Sequence, residues 1–392
     1  MTIATPLSTS GRWIMDANGR RVKLAGVNWA GAHQDNMVPG GLDFLDRNTI
    51  AEQIAAWGFN SVRFPFALST VQALTSVADS QVAANPDLEG MTPWEVYLQC
   101  VNALTSAGLM VIPNCHLMYR GWCCSLSDTQ GLWWNANWTY ATFLSCWQQV
   151  ATAFTGQPLV IGYDIKNEPR QATISGRQYN PTWGDGNQQT DFRWLYTQIG
   201  NAVLAIDPSK LVLCEGLNSA GNLQGVSAHP VTLTVPDRVV YSIHDYPQGW
   251  PSGETQAAYL SSQATNATYI LSQGIAPLWI GEFGVANDTL DALQSPAQGA
   301  GNGLGAGPVS RSYGNWWQNF LALMKQLDPD WCCWHLSGTH RLGTTPSTNQ
   351  VQYLEGDRPW NGLYAQDWSG AASPAVIKAL QSIMAPTMGP GV

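Results

Sequence analysis

Eight short apolar runs punctuate this 392-residue chain, and longer amphipathic stretches separate them. The runs are Leu24–Trp29, Ser61–Phe66, Met110–Cys115, Val160–Lys166, Leu211–Glu215, Val239–His244, Leu278–Glu282 and Cys332–Leu336. Helical periodicity occupies Thr49–Trp57, Trp94–Ala107, Tyr140–Thr155, Asp191–Ile206, Thr255–Ser272 and Tyr313–Leu327, and Pro374–Ile383 is a final candidate helix. Strands that alternate with helices pair in parallel, because the crossover helix returns the chain to the same edge. Eight such units close naturally into a (β/α)8, or TIM, barrel. The alternative is an open doubly wound sheet, but neither a GxGxxG nor a P-loop sequence is present to support it.

Before the first run, the turn signal Asp16-Ala-Asn18-Gly19 joins two short β-like pieces, predicting an N-terminal hairpin. Between the fifth and sixth runs the chain is rich in Pro, Gly and Ser, and helical character is weakest there. The Gly/Ala-rich stretch Ala297–Pro308 follows the seventh run and reads as a long loop over the barrel mouth, because the strand pattern resumes after it. With no internal repeat and no linker, residues 1–392 are expected to form a single domain with long loops over the C-terminal face.

Composition narrows the possible partners. Charged residues are only 11% of the chain, against about 25% in an average soluble protein, and 19 residues are Trp. Low charge with abundant Trp suits uncharged, flat-faced ligands, and sugars lead among these. The net charge of −9, with 18 Lys and Arg and no basic stripe, disfavours nucleic acid. No apolar run approaches the roughly 20 residues of a membrane span. The N-terminal residues lack a charged region followed by an apolar one, so the expectation is a secreted chain whose signal has been removed. Eight cysteines, including two Cys-Cys pairs, fit an oxidising compartment, but their pairing stays open. No Cys-x2-Cys or His-x3-His spacing points to zinc. Asn137, Asn266 and Asn287 open glycosylation sequons, which matter only in a eukaryotic source.

In barrels of this kind chemistry collects at the C-terminal ends of the strands. The second run ends near Arg63, the third at His116, and the fourth with Asn167-Glu168-Pro169. The sixth ends with His244-Asp245-Tyr246, the seventh with Glu282, and the eighth contains Trp334. Two carboxylates facing one mouth are what glycoside hydrolysis requires: one gives a proton to the leaving oxygen, the other attacks the anomeric carbon. Arg63 would keep the attacking carboxylate ionised, and Asn167 is placed to bond the sugar's 2-hydroxyl.

The motifs Ile165-Lys166-Asn167-Glu168-Pro169 and Trp279-Ile280-Gly281-Glu282-Phe283-Gly284 resemble those of glycoside hydrolase family 5, the cellulase family of clan A. Further resemblance runs through Gly26–Trp29, Gly58–Pro65, Asn114–His116 and His244–Tyr246, so it covers most of the chain. The resemblance implies Glu168 as acid/base and Glu282 as nucleophile, with Arg63 and Tyr246 bonding the nucleophile. It further implies His116 and Asn167 on the −1 sugar, His244 against the acid/base, and Trp334 as the −1 platform. Two departures bear on substrate. Leu117 follows His116 where many members carry Asp, and Trp122-Cys123-Cys124-Ser125 matches a segment of some plant, fungal and bacterial members whose substrates are less well defined.

Among residues beside the mouth, Trp29, His33 and Trp122 are also expected to contact substrate. Glu215 ends the fifth run and is expected to be structural. The expected activity is retaining hydrolysis of β-glucosidic bonds in oligo- or polysaccharides by double displacement, without cofactor or metal, by a monomer. An exo-acting β-glucosidase or diglycosidase is the alternative within the class. A non-catalytic carbohydrate-binding barrel and a metal-dependent hydrolase are alternatives outside it.

Overall fold

The computed structural model describes residues 3–121, 123–124, 128–251, 253–284, 311–336, 338, 341–344, 351–353, 362–365 and 367–391. Eight parallel strands close a barrel in chain order. They are β1 (Ala25–Asn28), β2 (Ser61–Ala67), β3 (Met110–Leu117), β4 (Gly162–Asp164), β5 (Leu211–Glu215), β6 (Val239–Asp245), β7 (Leu278–Phe283) and β8 (Asp330–Cys333). The seam joins β8 to β1 through Trp331 with Ala25, Cys332 with Gly26 and Cys333 with Val27. The expected hairpin forms from Ser8–Ser10 and Trp13–Met15.

Seven of the helices carry the outer layer: α1 (Arg47–Ala56), α2 (Pro93–Ser106), α3 (Tyr140–Ala153), α4 (Phe192–Ile206), α5 (Gln256–Gln263), α6 (Arg311–Leu327) and α7 (Pro374–Gln381). Their starts are written locally. Asp46 caps α1 by accepting from the Asn48 and Thr49 N–H groups. Thr92 and Glu95 form a capping box ahead of α2, with Pro93 at its first position. Between β5 and β6 no regular helix forms. The short turn Leu217–Ala220 carries left-handed backbone at Asn218 and Ser219, φ 55° and 54°. This is where helical periodicity was weakest.

Strand boundaries differ from expectation by up to three residues, most at β8. β8 begins at Asp330 rather than Cys332 and ends at Cys333. An acidic residue is a poor strand signal, but Asp330 Oδ1 accepts the Leu24 N–H at 2.8 Å, so its charge is used at the start of the ladder.

Period-two alternation sorts the strand residues into two layers. Met110, Ile112, Leu211, Leu213, Val240 and Trp279 cluster with Leu7, Ile14 and Val22 around the hairpin, and this plug fills the closed end of the barrel. Their sequence neighbours Val111, Val212, Tyr241 and Ile280 belong to the larger core shared with the helices. The same inward parity continues along the strands to Asn114, His116, Glu215 and His244. The barrel interior therefore changes from apolar to polar toward the C-terminal ends, where the mouth lies.

Asp328 closes the opposite end. Its side chain is buried beside Arg21 and Lys23, both of which donate to it. It also accepts from the backbone N–H groups of Thr387 at 2.7 Å and Met388 at 3.0 Å. Hairpin exit, β8 entry and C-terminal tail thus meet on one carboxylate. Asp328→Ala leaves two buried cations without their shared partner and is expected to cost about 3–5 kcal/mol. Denaturant unfolding measures this, and a loss below about 1 kcal/mol would show that the cluster does not hold the base together.

Candidate active site

Arg63 rises from the middle of β2 and is fully buried. Its Nε donates to Asp164 Oδ2 at 2.7 Å. Nη1 donates to Asn28 Oδ1 at 2.9 Å and Glu282 Oε1 at 2.6 Å. Nη2 donates to Asn167 Oδ1 at 2.6 Å and Glu215 Oε1 at 2.9 Å. One planar guanidinium therefore holds residues from β1, β4, β5, β7 and the segment after β4, a role for which its rigid fork of donors is suited. Burial alone would lower its pKa, but Asp164, Glu282 and Glu215 outweigh that and raise it, so the group stays charged.

Glu282 lies on β7 with a nearly buried carboxylate. Oε1 takes the Arg63 bond and Oε2 accepts from the Tyr246 hydroxyl at 2.9 Å. Burial pushes its pKa up, with Glu168 and Glu215 adding to the rise and His244 and Arg63 opposing it. Tyr246 is pushed well above the ordinary phenol range by burial, then by Glu282 and Glu168, and so keeps the proton it donates.

Glu168 follows β4 in a left-handed backbone conformation, φ 44°, which residues other than Gly rarely adopt. Pro169 follows it and restricts it further. The strain is held by a bond from the Glu168 N–H to Glu215 Oε2 at 2.7 Å. Its carboxylate points back to His244, whose Nδ1 lies 3.0 Å from Glu168 Oε1 and 3.5 Å from Glu282 Oε2. One ligand atom each from Glu168, His244 and Glu282 falls within 4.8 Å of the others. The lack of a side chain at Gly281 makes this approach possible. A Cβ there would sit 2.7 Å from Ser242 Oγ and 3.4 Å from His244 Nε2.

Charges in this buried layer are set by one another. Burial would raise Glu215, but His244 and Arg63 hold it down at about 2. Asp164 is driven the other way, well above the carboxylate range, by burial and by the Glu215 charge. Their mutual charge thus drives the two buried carboxyls in opposite directions. Burial would likewise lower His244, yet Glu282, Glu215 and its bond to Glu168 hold it well above the ordinary imidazole range, so it is a cation.

His116 ends the inward row of β3. Burial, then the positive charges of its neighbours, push its pKa well below 6.5, so the ring is neutral. Asn114 donates its amide to Asp164 Oδ2 at 2.9 Å, so its Oδ1 accepts from His116 Nδ1 at 2.9 Å. The other ring nitrogen is left as an acceptor. Trp334, half-buried after β8, stacks on His116 with centroids 5.3 Å apart and planes at 15°. His33 packs behind, its ring centroid 4.2 Å from that of His116. On the Glu168 flank a cavity of about 490 Å³ opens, lined by Asn218, Ser219, Tyr246, Trp250, Glu254 and Asn266 among others.

The structure thus brings together Arg63, His116, Asn167, Glu168, His244, Tyr246, Glu282 and Trp334. Trp29 is a correction. Period-two alternation turns Asn28 inward and Trp29 outward, where it is fully buried against Phe64, and its indole N–H is used on Gly40 O at 2.8 Å. It has no face left for a sugar. Trp122 lies outside the described residues. Asn28, Asn114 and Asp164 were missed as parts of the site. Their signal was present in the sequence as polar residues inside otherwise apolar runs, on the inward parity of their strands.

An eight-stranded parallel barrel with two carboxylates meeting at its mouth is an architecture of barrel glycosidases. The sequence profile of the family described as Cellulase (glycosyl hydrolase family 5) matches residues 15–340. The chain belongs to this family and is a glycoside hydrolase. It is similar to an endoglucanase of Paenibacillus polymyxa, 29% identical over 355 residues that cover 86% of this chain and 85% of that protein. It also resembles the major extracellular endoglucanase of Xanthomonas campestris pv. campestris, 30% identical over 60% of this chain and 48% of that protein. In fold it is similar to an endocellulase from Pyrococcus horikoshii solved as a complex with cellotetraose. The TM-score there is 0.75 at 24% identity, covering 98% of this chain and 100% of that one.

The His244 charge makes stability depend on pH. Unfolded, the imidazole titrates near 6.5. Its folded pKa is raised, so its contribution is fully present below about 6.5 and is lost as pH rises through the folded value. The denaturation midpoint of the native protein is expected to fall as pH is raised from neutrality, and to fall less in His244→Gln. Parallel pH profiles for the two proteins would contradict this.

Proposed function

We propose that the chain is a retaining endo-β-glucanase that works by double displacement. The observation that carries this is the closeness of Glu168 and Glu282, whose nearest carboxylate oxygens lie within 4.8 Å. Inverting enzymes separate the pair by about 6.5–9.5 Å to admit a water between carboxylate and sugar, whereas retaining enzymes hold it near 5–5.5 Å.

Glu282 attacks the anomeric carbon while the bond to the leaving oxygen breaks and Glu168 delivers its proton to that oxygen. Water then attacks the same carbon, Glu168 takes its proton, and the bond to Glu282 breaks. Arg63 and Tyr246 occupy one oxygen of Glu282 each, which orients the carboxylate for attack. His244 turns Glu168 toward the bond being cleaved. His116 accepts from a sugar hydroxyl through its free nitrogen, Asn167 bonds the 2-hydroxyl, and Trp334 supplies the stacking surface of the −1 sugar. His33 acts through His116 rather than by touching the sugar. The leaving group lies over the cavity beside Glu168.

Endo action is the reading favoured by the likeness to the Paenibacillus endoglucanase, which extends over most of both chains. We further propose that residues 1–392 form one catalytic domain that acts outside the cell as a monomer, the location being the one carried in the name of the Xanthomonas relative.

A panel of soluble β-glucans, mannan, cello-oligosaccharides and aryl β-glycosides tests the substrate. Internal cleavage of β-glucan is expected, with Glu282→Ala lower by at least about 10⁴-fold. Release of monosaccharide from chain ends alone would favour exo action, and an equally active Glu282→Ala would overturn the mechanism. The two roles separate with azide on an activated aryl glycoside. Glu282→Ala is expected to give the α-glycosyl azide by direct displacement, and Glu168→Ala the β-azide from the glycosyl-enzyme. The reverse pattern would exchange the roles.

A further inference from the structure

Cys123 and Cys124 stand beside the sugar-binding residues, and the mechanism gives them no task. The two sulfurs meet as a pair between sequence neighbours. Both residues are half-buried, whereas the other six cysteines are buried. The Asn167 amide lies against them, its Nδ2 donating at 3.4 Å to Cys123 Sγ and at 3.5 Å to Cys124 Sγ. Asn167 already gives its Oδ1 to Arg63, so the sulfur pair completes the seating of its side chain. On the other side stands His116. One ring nitrogen of His116 and the two sulfurs fall within 4.8 Å of one another.

Two thiolates and one neutral imidazole form the donor set preferred by thiophilic ions; for zinc the bonds to sulfur are near 2.3 Å and those to nitrogen near 2.0–2.1 Å. A disulfide has neither thiolate to offer. The donor set therefore exists in only one redox state. His116 enters it with its Nδ1 held by Asn114 and its other nitrogen available.

We propose that Cys123–Cys124 is a reducible vicinal disulfide in the wall of the sugar site, and that its reduction creates with His116 a binding site for a soft divalent cation that blocks the enzyme. The proposal rests on the reading of the sugar site given above. In the reduction step the sulfur–sulfur bond breaks, a phosphine takes the oxygen of one water to become its oxide, and the two hydrogens go to the two sulfurs. Cation binding then releases both thiol protons. The bound ion takes the lone pair that His116 would use on a hydroxyl. It also draws both sulfurs away from Asn167, so the −1 sugar loses two partners at once.

Cadmium is the probe. In the unreduced native enzyme no thiol should react with an aromatic disulfide reagent, and stoichiometric Cd2+ should leave the rate on β-glucan unchanged. After phosphine treatment two thiols should react. One Cd2+ per chain should then give the ultraviolet cadmium–thiolate band, and kcat/KM should fall by at least about tenfold and recover with a chelator. A saturating cello-oligosaccharide should protect the thiols. Three results would overturn the proposal: free thiols at these positions before reduction, a band no stronger in the reduced native protein than in C123S/C124S, or full activity with the ion bound. The thiol count and the band need no turnover. A protein inactive on every glycan would therefore count against the function proposed above, while the metal site would still be decided.

Discussion

The buried guanidinium of Arg63 is the interaction on which the rest of the site depends. It reaches five partners at 2.6–2.9 Å, drawn from strands that are remote in sequence. Taking such a charge out of water costs several kcal/mol, and the cost is offset only when partners of opposite charge surround it with good geometry. That requirement explains the carboxylates below Glu168 and Glu282. Glu215 and Asp164 are fully buried and do not line the mouth. Glu215 balances the charges of Arg63 and His244, and Asp164 accepts from Arg63, so that the upper carboxylates can be set by their own surroundings.

Glu215 illustrates how one residue serves two needs. Through one oxygen it holds Arg63, and through the other it holds the backbone N–H of Glu168. The second bond stabilises a backbone conformation that would otherwise cost on the order of 1–3 kcal/mol. The strain points the Glu168 side chain at His244 instead of along the direction of the preceding strand. Asp245, next along β6, faces outward by alternation. There it accepts from the indole groups of Trp250 at 2.8 Å and Trp316 at 3.1 Å, fastening the loop after β6 and helix α6 to the barrel. Neighbours on one strand thus divide their tasks: His244 faces inward to Glu168 and Glu282, and Asp245 faces outward to the elements around the barrel.

Much of this was legible beforehand, for identifiable reasons. Strand and helix periods are local, so the eight alternations could be read from residue spacing, and all eight strands begin within two residues of the apolar runs that announced them. The polar residues ending those runs had to face the mouth, which brought out Glu168, Glu282, His116 and His244. Trp29 was misread because a strand's last residues alternate faces, and the sequence does not mark which parity points inward. Asn114 and Asp164 were passed over because each sits inside an apolar run and its partners lie in other strands.

The sequence by itself determined the barrel, the polar strand ends that face the mouth, and the pair of glutamates among them, since these follow from short-range periodicity and from motifs of a few residues. Tertiary structure alone decided which groups are charged, which are strained and which touch. Arg63 and Glu282 are 219 residues apart and meet only when the barrel closes. The opposed shifts of Asp164 and Glu215, the neutral ring of His116 and the contact of Asn167 with the two cysteine sulfurs depend on the same closure. Protonation and contact are set by the dielectric and by the neighbours around a group, and in a closed barrel those neighbours come from every part of the chain.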